Sequence, residues 1–340
     1  MREPPPIRRL LLVILGLGLL LAVAVAVAVS FGAAEVPLWQ RLLLGGFWSE
    51  TQQAILFALR LPRVLTAAAL GGLLGVAGVA FQALLRNPLA DPYVLGVSGG
   101  ASLGGVVALL AGFAGLGVPL AAFVGALASL VAIERIATSD GRLTVFTLLL
   151  TGAIFNSFSA ALIYFLQSVA SREELSAIVF YLMGRVPSSG PGALVTLWAA
   201  GLAITVALFA SARDFNALTA GEEGAQQLGV DVERLKRRTF VLGSLATALA
   251  VASAGLIGFV GLVVPHLLRR LIGPDHRLLL PAAFLGGATF LVLADLAART
   301  LAAPTELPVG VVTALLGGPF FLLLLRRRGT AFTGNGARHG

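Results

Sequence analysis

Residues 62–92 read PRVLTAAALGGLLGVAGVAFQALLRNPLADP. From Val64 to Leu85 the stretch carries no charged residue, and Arg86-Asn87-Pro88 closes it with a cation, a turn former and a helix breaker. A helix needs roughly 20 apolar residues to cross a bilayer core. Within the run, Gly72, Gly75 and Gly78 stand three apart, a spacing that lets neighbouring helices approach closely. The segment therefore reads as a membrane span packed among other helices.

Runs of the same kind recur on both sides of it. Gly, Pro and charge breaks place spans at 10–30, 62–82, 94–112, 117–138, 142–167, 193–211, 238–254, 257–271, 278–302 and 308–325. The run at 257–271 is short and glycine-rich, as a broken helix buried among others would be. Hydrophobic residues make up 58% of the 340 and charged residues 12%, and the mean hydropathy is +0.95. A soluble domain of this size could not bury so much apolar surface. The expected fold is all-α, a polytopic membrane protein of about ten transmembrane helices, with residues 1–340 as one transmembrane domain and a polar loop at about 213–238.

The first run follows Arg8 and Arg9 in the order of a signal peptide. It continues past the roughly 7 to 15 residues of a signal core, so a retained span is expected. The absence of cysteine excludes disulfides, thiolate catalysis and Cys-ligated metal. A net charge of +8 raises the question of nucleic acid. The cations, however, cluster at the ends of apolar runs, which is the distribution of a positive-inside bias and not of a basic soluble face. With both termini in the cytoplasm, only Arg41, Arg60, Arg63, Arg172, Arg185 and Arg299 of the 24 Lys and Arg fall outside, while the terminal Arg2 and Arg338 fall inside. One missed span would scramble this asymmetry.

An internal echo links Gly72-Leu73, Gly75, Gly78 and Leu84-Leu85-Arg86 to Gly255-Leu256, Gly258, Gly261 and Leu267-Leu268-Arg269. Repeated packing needs and duplication of a half-transporter explain it about equally well.

Chemistry-bearing residues are sparse. The single lysine, Lys236, follows Arg234-Leu235 and not a glycine-rich loop, so no P-loop exists here. His266, His276 and His339 lack zinc-ligand spacing, and no catalytic residue or metal site is expected. Asp295 lies inside a span, where an ionisable group is costly unless paired or functional. Arg299, four residues on, is its expected partner, favoured over a proton relay. Between the sixth and seventh spans, Glu222, Glu223, Gln226 and Gln227 alternate with Ala225, Leu228 and Val230 before Gly229 breaks the run. This reads as short helices, either an ordinary solvated loop or a docking surface for a cytoplasmic partner.

Several ordered motifs together resemble the permease subunits of ABC importers for iron siderophores, haem and cobalamin, the FecCD-like type II importers. They are Arg60-Leu61-Pro62-Arg63, Gln82 with Arg86-Asn87-Pro88-Leu89-Ala90-Asp91-Pro92, Leu95-Gly96-Val97-Ser98-Gly99-Gly100-Ala101, Leu228-Gly229, Gly258-Phe259-Val260-Gly261-Leu262-Val263-Val264-Pro265-His266 and Glu306-Leu307-Pro308-Val309-Gly310.

The resemblance implies a permease in the inner membrane that pairs with a second copy or with a close homologue, two ATPase subunits that bind ATP and Mg, and an extracytoplasmic binding protein. It implies coupling to the ATPase through Ala220, Gly221, Glu222, Glu223, Ala225, Gln226, Leu228, Gly229 and Arg234. Binding-protein docking is implied at Arg60, Arg63 and Arg299, for which a snorkelling anchor is the plain alternative at the first two. A translocation pathway or gate is implied at Asn87, Leu89, Asn156, Ser157 and Ser159, where helix–helix hydrogen bonding is the plain alternative for the polar residues of the fifth span. A secondary transporter would need more intramembrane carboxylates than Asp295. An intramembrane enzyme would need a nucleophile–base or metal pair.

Overall fold

The computed structural model describes residues 7–32 and 49–333, so Arg2, Arg41 and Arg338 of the charge bias lie outside the described residues. The described chain is helical apart from a two-residue hairpin, Thr138–Ser139 with Arg142–Leu143. In chain order the helices are α1 (Ile7–Ser30), α2 (Glu50–Leu84), α3 (Val97–Leu110), α4 (Gly117–Ala137), α5 (Val145–Val169), α6 (Arg172–Leu182) and α7 (Pro191–Phe209). They continue with α8 (Ala212–Leu218), α9 (Glu222–Gln227), α10 (Val232–Ala254), α11 (Val260–Ile272), α12 (His276–Thr300) and α13 (Val309–Thr333). Among the described residues six are long and apolar enough to cross a membrane: α1, α2, α4, α5, α7 and α12. The four remaining apolar runs fall on α3, α10, α11 and α13.

Helix α2 starts twelve residues before the span expected from residue 62, because Arg60 and Arg63 look like the end of an apolar run yet lie inside a continuous helix. Its start is a capping box in which Ser49 and Gln52 satisfy each other's backbone N–H. Residues Ala54–Arg60 are π-helical, a wider turn often found at functional sites. At 1.5 Å per residue, 35 residues span about 52 Å, well beyond a hydrocarbon core of about 30 Å. Helix α6 was not among the expected elements. Its signal was the Ser171/Glu174 capping box, which an eye set on apolar runs passes over.

The bundle is organised around α2, the most enclosed of the long helices, which packs against α12, α10, α11, α7 and α1. Small residues make this possible. A Cβ at Gly71 would strike the carbonyl of Gly287, one at Gly75 the carbonyl of Ala283, and one at Gly72 would lie 2.6 Å from the Phe284 ring. Without a hydrophobic driving force between helices in lipid, such backbone contact supplies the association through dispersion. A second group, α3 with α4 and α5, joins the first through α10.

The run at 257–271 is indeed shortened. Residues 255–259 leave helical geometry, with Gly255 at φ 70° and Phe259 at φ 68°, the latter an unusual conformation for a bulky side chain. The internal echo does not map equivalent elements onto each other, because Gly72–Gly78 lies mid-helix in α2 while Gly255–Gly258 lies in this break. Packing explains it better: a Cβ at Gly78 would collide with the backbone of Gly261, so the two echoing glycines face each other.

Candidate functional site

Polar structure concentrates at the two ends of the bundle. At one end, the one expected to face outward, the ion-pair network begins with the buried carboxylate of Asp295 on α12. One oxygen accepts from Arg63 Nε at 3.0 Å and the other from Arg299 Nε at 2.9 Å. The Asp295–Arg299 pair is the one expected from their spacing, and Arg63 is an additional partner from α2.

Arg299 also donates to the carbonyls of Ala28 and Phe31, at 3.0 and 3.2 Å, while Arg60 donates to those of Val29 and Ser30, at 3.2 and 3.1 Å. The last carbonyls of a helix have no intrahelical donor and carry the negative end of its dipole, so two guanidinium groups are a fitting cap for α1. Thus Arg60 and Arg299 are turned inward and are buried. Neither snorkelling nor an open fork at the surface describes them.

Two further residues complete the cluster. Glu306 Oε2 accepts from Arg63 Nη1 at 2.8 Å and from Arg185 Nη2 at 3.4 Å. Burial pushes the Glu306 carboxyl up, but hydrogen bonding and charge from Arg63, with Arg185 and Arg299 adding to it, outweigh this and hold it below the usual range. Its stabilising contribution is therefore complete at neutral pH and is lost only as pH falls through that lowered value.

A cavity of about 480 Å³ opens here, lined by Arg60, Arg63, Arg185, Arg299 and Glu306 with Ser188 among others. Of the four arginines Arg185 is the accessible one, its side chain 71% exposed. Sequence reading counted Arg185 among the outward cations and quoted Glu306 in a motif, yet assigned neither to the site. The signal at Arg185 was a cation against the orientation bias, as at Arg60, whereas the acidic Glu306 carried no such signal.

At the opposite end, the polar stretch expected to form short helices does so as α8 and α9, joined through Gly221 at φ 97°. Phe215, Leu218 and Ala225 face the bundle and are buried. Glu222 is tied to α10 through Lys236, whose ammonium lies 3.1 Å from Glu222 and 2.6 Å from Glu233. Asn216 donates to Asp275 at 2.8 Å and accepts from the backbone N–H of His276 at 2.9 Å, fastening α8 to the start of α12. Burial raises the Asp275 carboxyl, but hydrogen bonds from Arg277 and Asn216 and the charge of Arg277 bring it down to about 2. Among the residues that remain outward are Thr219, Ala220, Glu223, Gln226, Gln227, Leu228, Gly229 and Arg234, with Gly221 and Glu222 half-buried.

The expected pathway residues do not converge on one passage within this chain. Asn156 holds structure together, its amide donating to the Tyr93 carbonyl at 2.8 Å and accepting from the Gly99 N–H at 3.1 Å. Tyr93 in turn both donates to and accepts from the backbone of Ile257, stapling the break before α11 to the turn after α2. Ser159 is fully buried. Ser157 is exposed and its hydroxyl returns to the Ala153 carbonyl. Asn87 is exposed, and its side chain accepts from the N–H of Leu89, a half-buried residue, in a local turn.

Comparison with known proteins gives concordant results. Residues 20–327 match the FecCD transport family. The cobalamin import system permease protein of Halobacterium salinarum is 46% identical over 82% of this chain and 75% of its own length. The hemin transport system permease protein of Yersinia pestis is 41% identical over 79% of this chain and 83% of its own. A solved inward-facing conformation of a putative metal-chelate type ABC transporter superposes with a TM-score of 0.81, at 32% identity, over 93% of this chain and 99% of that one.

Proposed function

The chain belongs to the FecCD transport family, and on that premise we propose that it forms the membrane pathway of an ATP-driven importer, working as one domain with ten crossings and both termini in the cytoplasm. It is a multi-pass membrane permease and not itself a catalytic subunit. The match across residues 20–327 carries this reading. ATP and Mg are bound by two partner ATPases, a second copy of the chain completes the pathway, and an extracytoplasmic binding protein delivers cargo. The large side chains that α5 leaves uncovered, among them Phe146, Ile154 and Phe158, support burial of that face by lipid or the second copy.

The cargo class is a bulky chelated compound. Cobalamin is placed ahead of haem and siderophore iron, since the cobalamin permease of Halobacterium salinarum is more similar than the haem permease quoted with it. In proteoliposomes holding the chain with its ATPase and binding protein, ATP-dependent accumulation of cobalamin, with little of haem or ferric siderophore, is the expected outcome. Accumulation without the ATPase, driven by an ion gradient, would instead favour the secondary-transporter reading.

The ten-crossing topology has its own test. Cysteines placed at Thr219 and at Ser171 are expected to react from opposite sides, the first from the cytoplasm alone; labelling of both from one side would remove this topology. Docking of the binding protein is assigned to the outer cluster, whose lining guanidinium groups outnumber the carboxylates of Asp295 and Glu306. Coupling to the ATPase is assigned to α8 and α9 with Leu228, Gly229 and Arg234.

A further inference from the structure

Glu306 occupies an uncommon position. Both of its ion pairs run through one oxygen, Oε2, while Oε1 accepts no hydrogen bond among the described residues. It links Arg63 on α2 with Arg185 in the segment after α6, which Ser188 also fastens to α2 at the carbonyls of Ala58 and Leu59, and it does so from the short connection between α12 and α13. Its side chain is 35% exposed, whereas Asp295 beneath it is completely buried. It also stands on the wall of the arginine-lined cavity. The cluster thus has one carboxylate locked inside and a second one at the mouth.

We propose that Glu306 is an internal stand-in for a carboxylate of the binding protein, holding Arg63 and Arg185 in the undocked permease and yielding them when that protein docks. The proposal rests on the docking reading given above and adds its regulation. A carboxylate at the mouth keeps the guanidinium groups satisfied while no partner is present, which an open cluster of like charges would not allow. Exchange is cheap because one carboxylate replaces another, and a partly exposed ion pair is worth little by itself. Glu306 is also joined to the seat of α13: the next residue, Leu307, donates to the Ala298 carbonyl, and Gly310 at the start of α13 packs against the backbone of Met183 and of Leu256, the latter within the break before α11. Release of Glu306 would therefore free the connection that seats α13.

The competition has a measurable sign. A resident competitor lowers the affinity of the incoming group, so removing it raises that affinity. With the permease–ATPase complex in nanodiscs and the purified binding protein of the same transport system as probe, Glu306→Gln is expected to tighten binding about three- to tenfold. Glu306→Asp, which withdraws the carboxylate by one methylene, is expected to tighten it less. Neutralising the docking carboxylates of the binding protein should erase the gain. Unchanged or weaker binding by Glu306→Gln, or loss of folded complex in both variants, would make Glu306 a plain structural strut and overturn the proposal.

Arg185→Glu in the same assay separates the two readings. It is expected to weaken binding more than tenfold. If it does and Glu306→Gln does not tighten, docking stands and the stand-in falls; if it changes nothing, the docking site itself is misplaced.

Discussion

Asp295→Asn is expected to yield little folded permease, and what folds is expected to lose thermal stability as severely as Asp295→Ala. Each oxygen of Asp295 serves a different guanidinium, Arg63 from α2 and Arg299 from its own helix, and the carboxylate is 0% exposed. The amide oxygen of Asn can satisfy one arginine, but the amide nitrogen then presents donors to the other. Two partly uncompensated cations remain in a dry site, beside Arg60. Removing one partner of a buried ion pair costs about 3–5 kcal/mol, and here the one carboxylate serves two cations.

The damage would also spread to α1, because Arg299 caps its last carbonyls from the position Asp295 gives it. A proton-relay role predicts otherwise: Asp295→Asn would fold normally and lose only pH-dependent transport. Fluorescence-detected gel filtration with a thermal ramp distinguishes the two, and wild-type stability of Asp295→Asn would disprove the buried network as a structural keystone.

This network bounds what the sequence could disclose. Composition and apolar periodicity located the six described helices long and apolar enough to cross a membrane, and the four other apolar runs fall on α3, α10, α11 and α13, since lipid demands helical backbone and a minimum length. The Asp295–Arg299 pair was legible because an i,i+4 spacing is local. The inward turn of Arg60 was not, because its acceptors are carbonyls on α1 about thirty residues away in sequence, and a backbone acceptor leaves no residue-type signature.

The same blindness applies to Asn156. Its identity suggested a polar pathway lining, yet both its partners are main-chain atoms of Tyr93 and Gly99. Glycine was more informative than charge at close crossings, where Gly71, Gly75 and Gly78 each meet backbone. Even there, the sequence could not tell which helix would be met.

At the end proposed to face the cytoplasm, Leu228→Glu is expected to abolish ATPase co-purification and reduce ATP-driven uptake more than tenfold, with the permease itself as stable as wild type. Leu228 is 47% exposed, a single large apolar side chain directly after α9, among the outward Glu223, Gln226 and Gln227. Its backbone is fixed, however. The N–H of Leu228 returns to Gly224 and Ala225, and Gly229 turns the chain at φ 83°.

The fixture extends deeper, because Ala225 is buried and Glu222 is held by Lys236. An apolar knob on a rigid mount loses little entropy when it enters a partner's pocket. Such central apolar anchors are worth about 2 kcal/mol or more, roughly thirtyfold in affinity. A solvated loop residue with no partner would change stability and function by less than about 0.5 kcal/mol. Carboxylate in place of isobutyl would put an unpaired charge into the ATPase cleft, so the loss should appear in binding before it appears in transport. Co-purification and uptake equal to wild type would return α8 and α9 to the role of a solvated connection, and would leave the ATPase contact to be sought elsewhere on the cytoplasmic face.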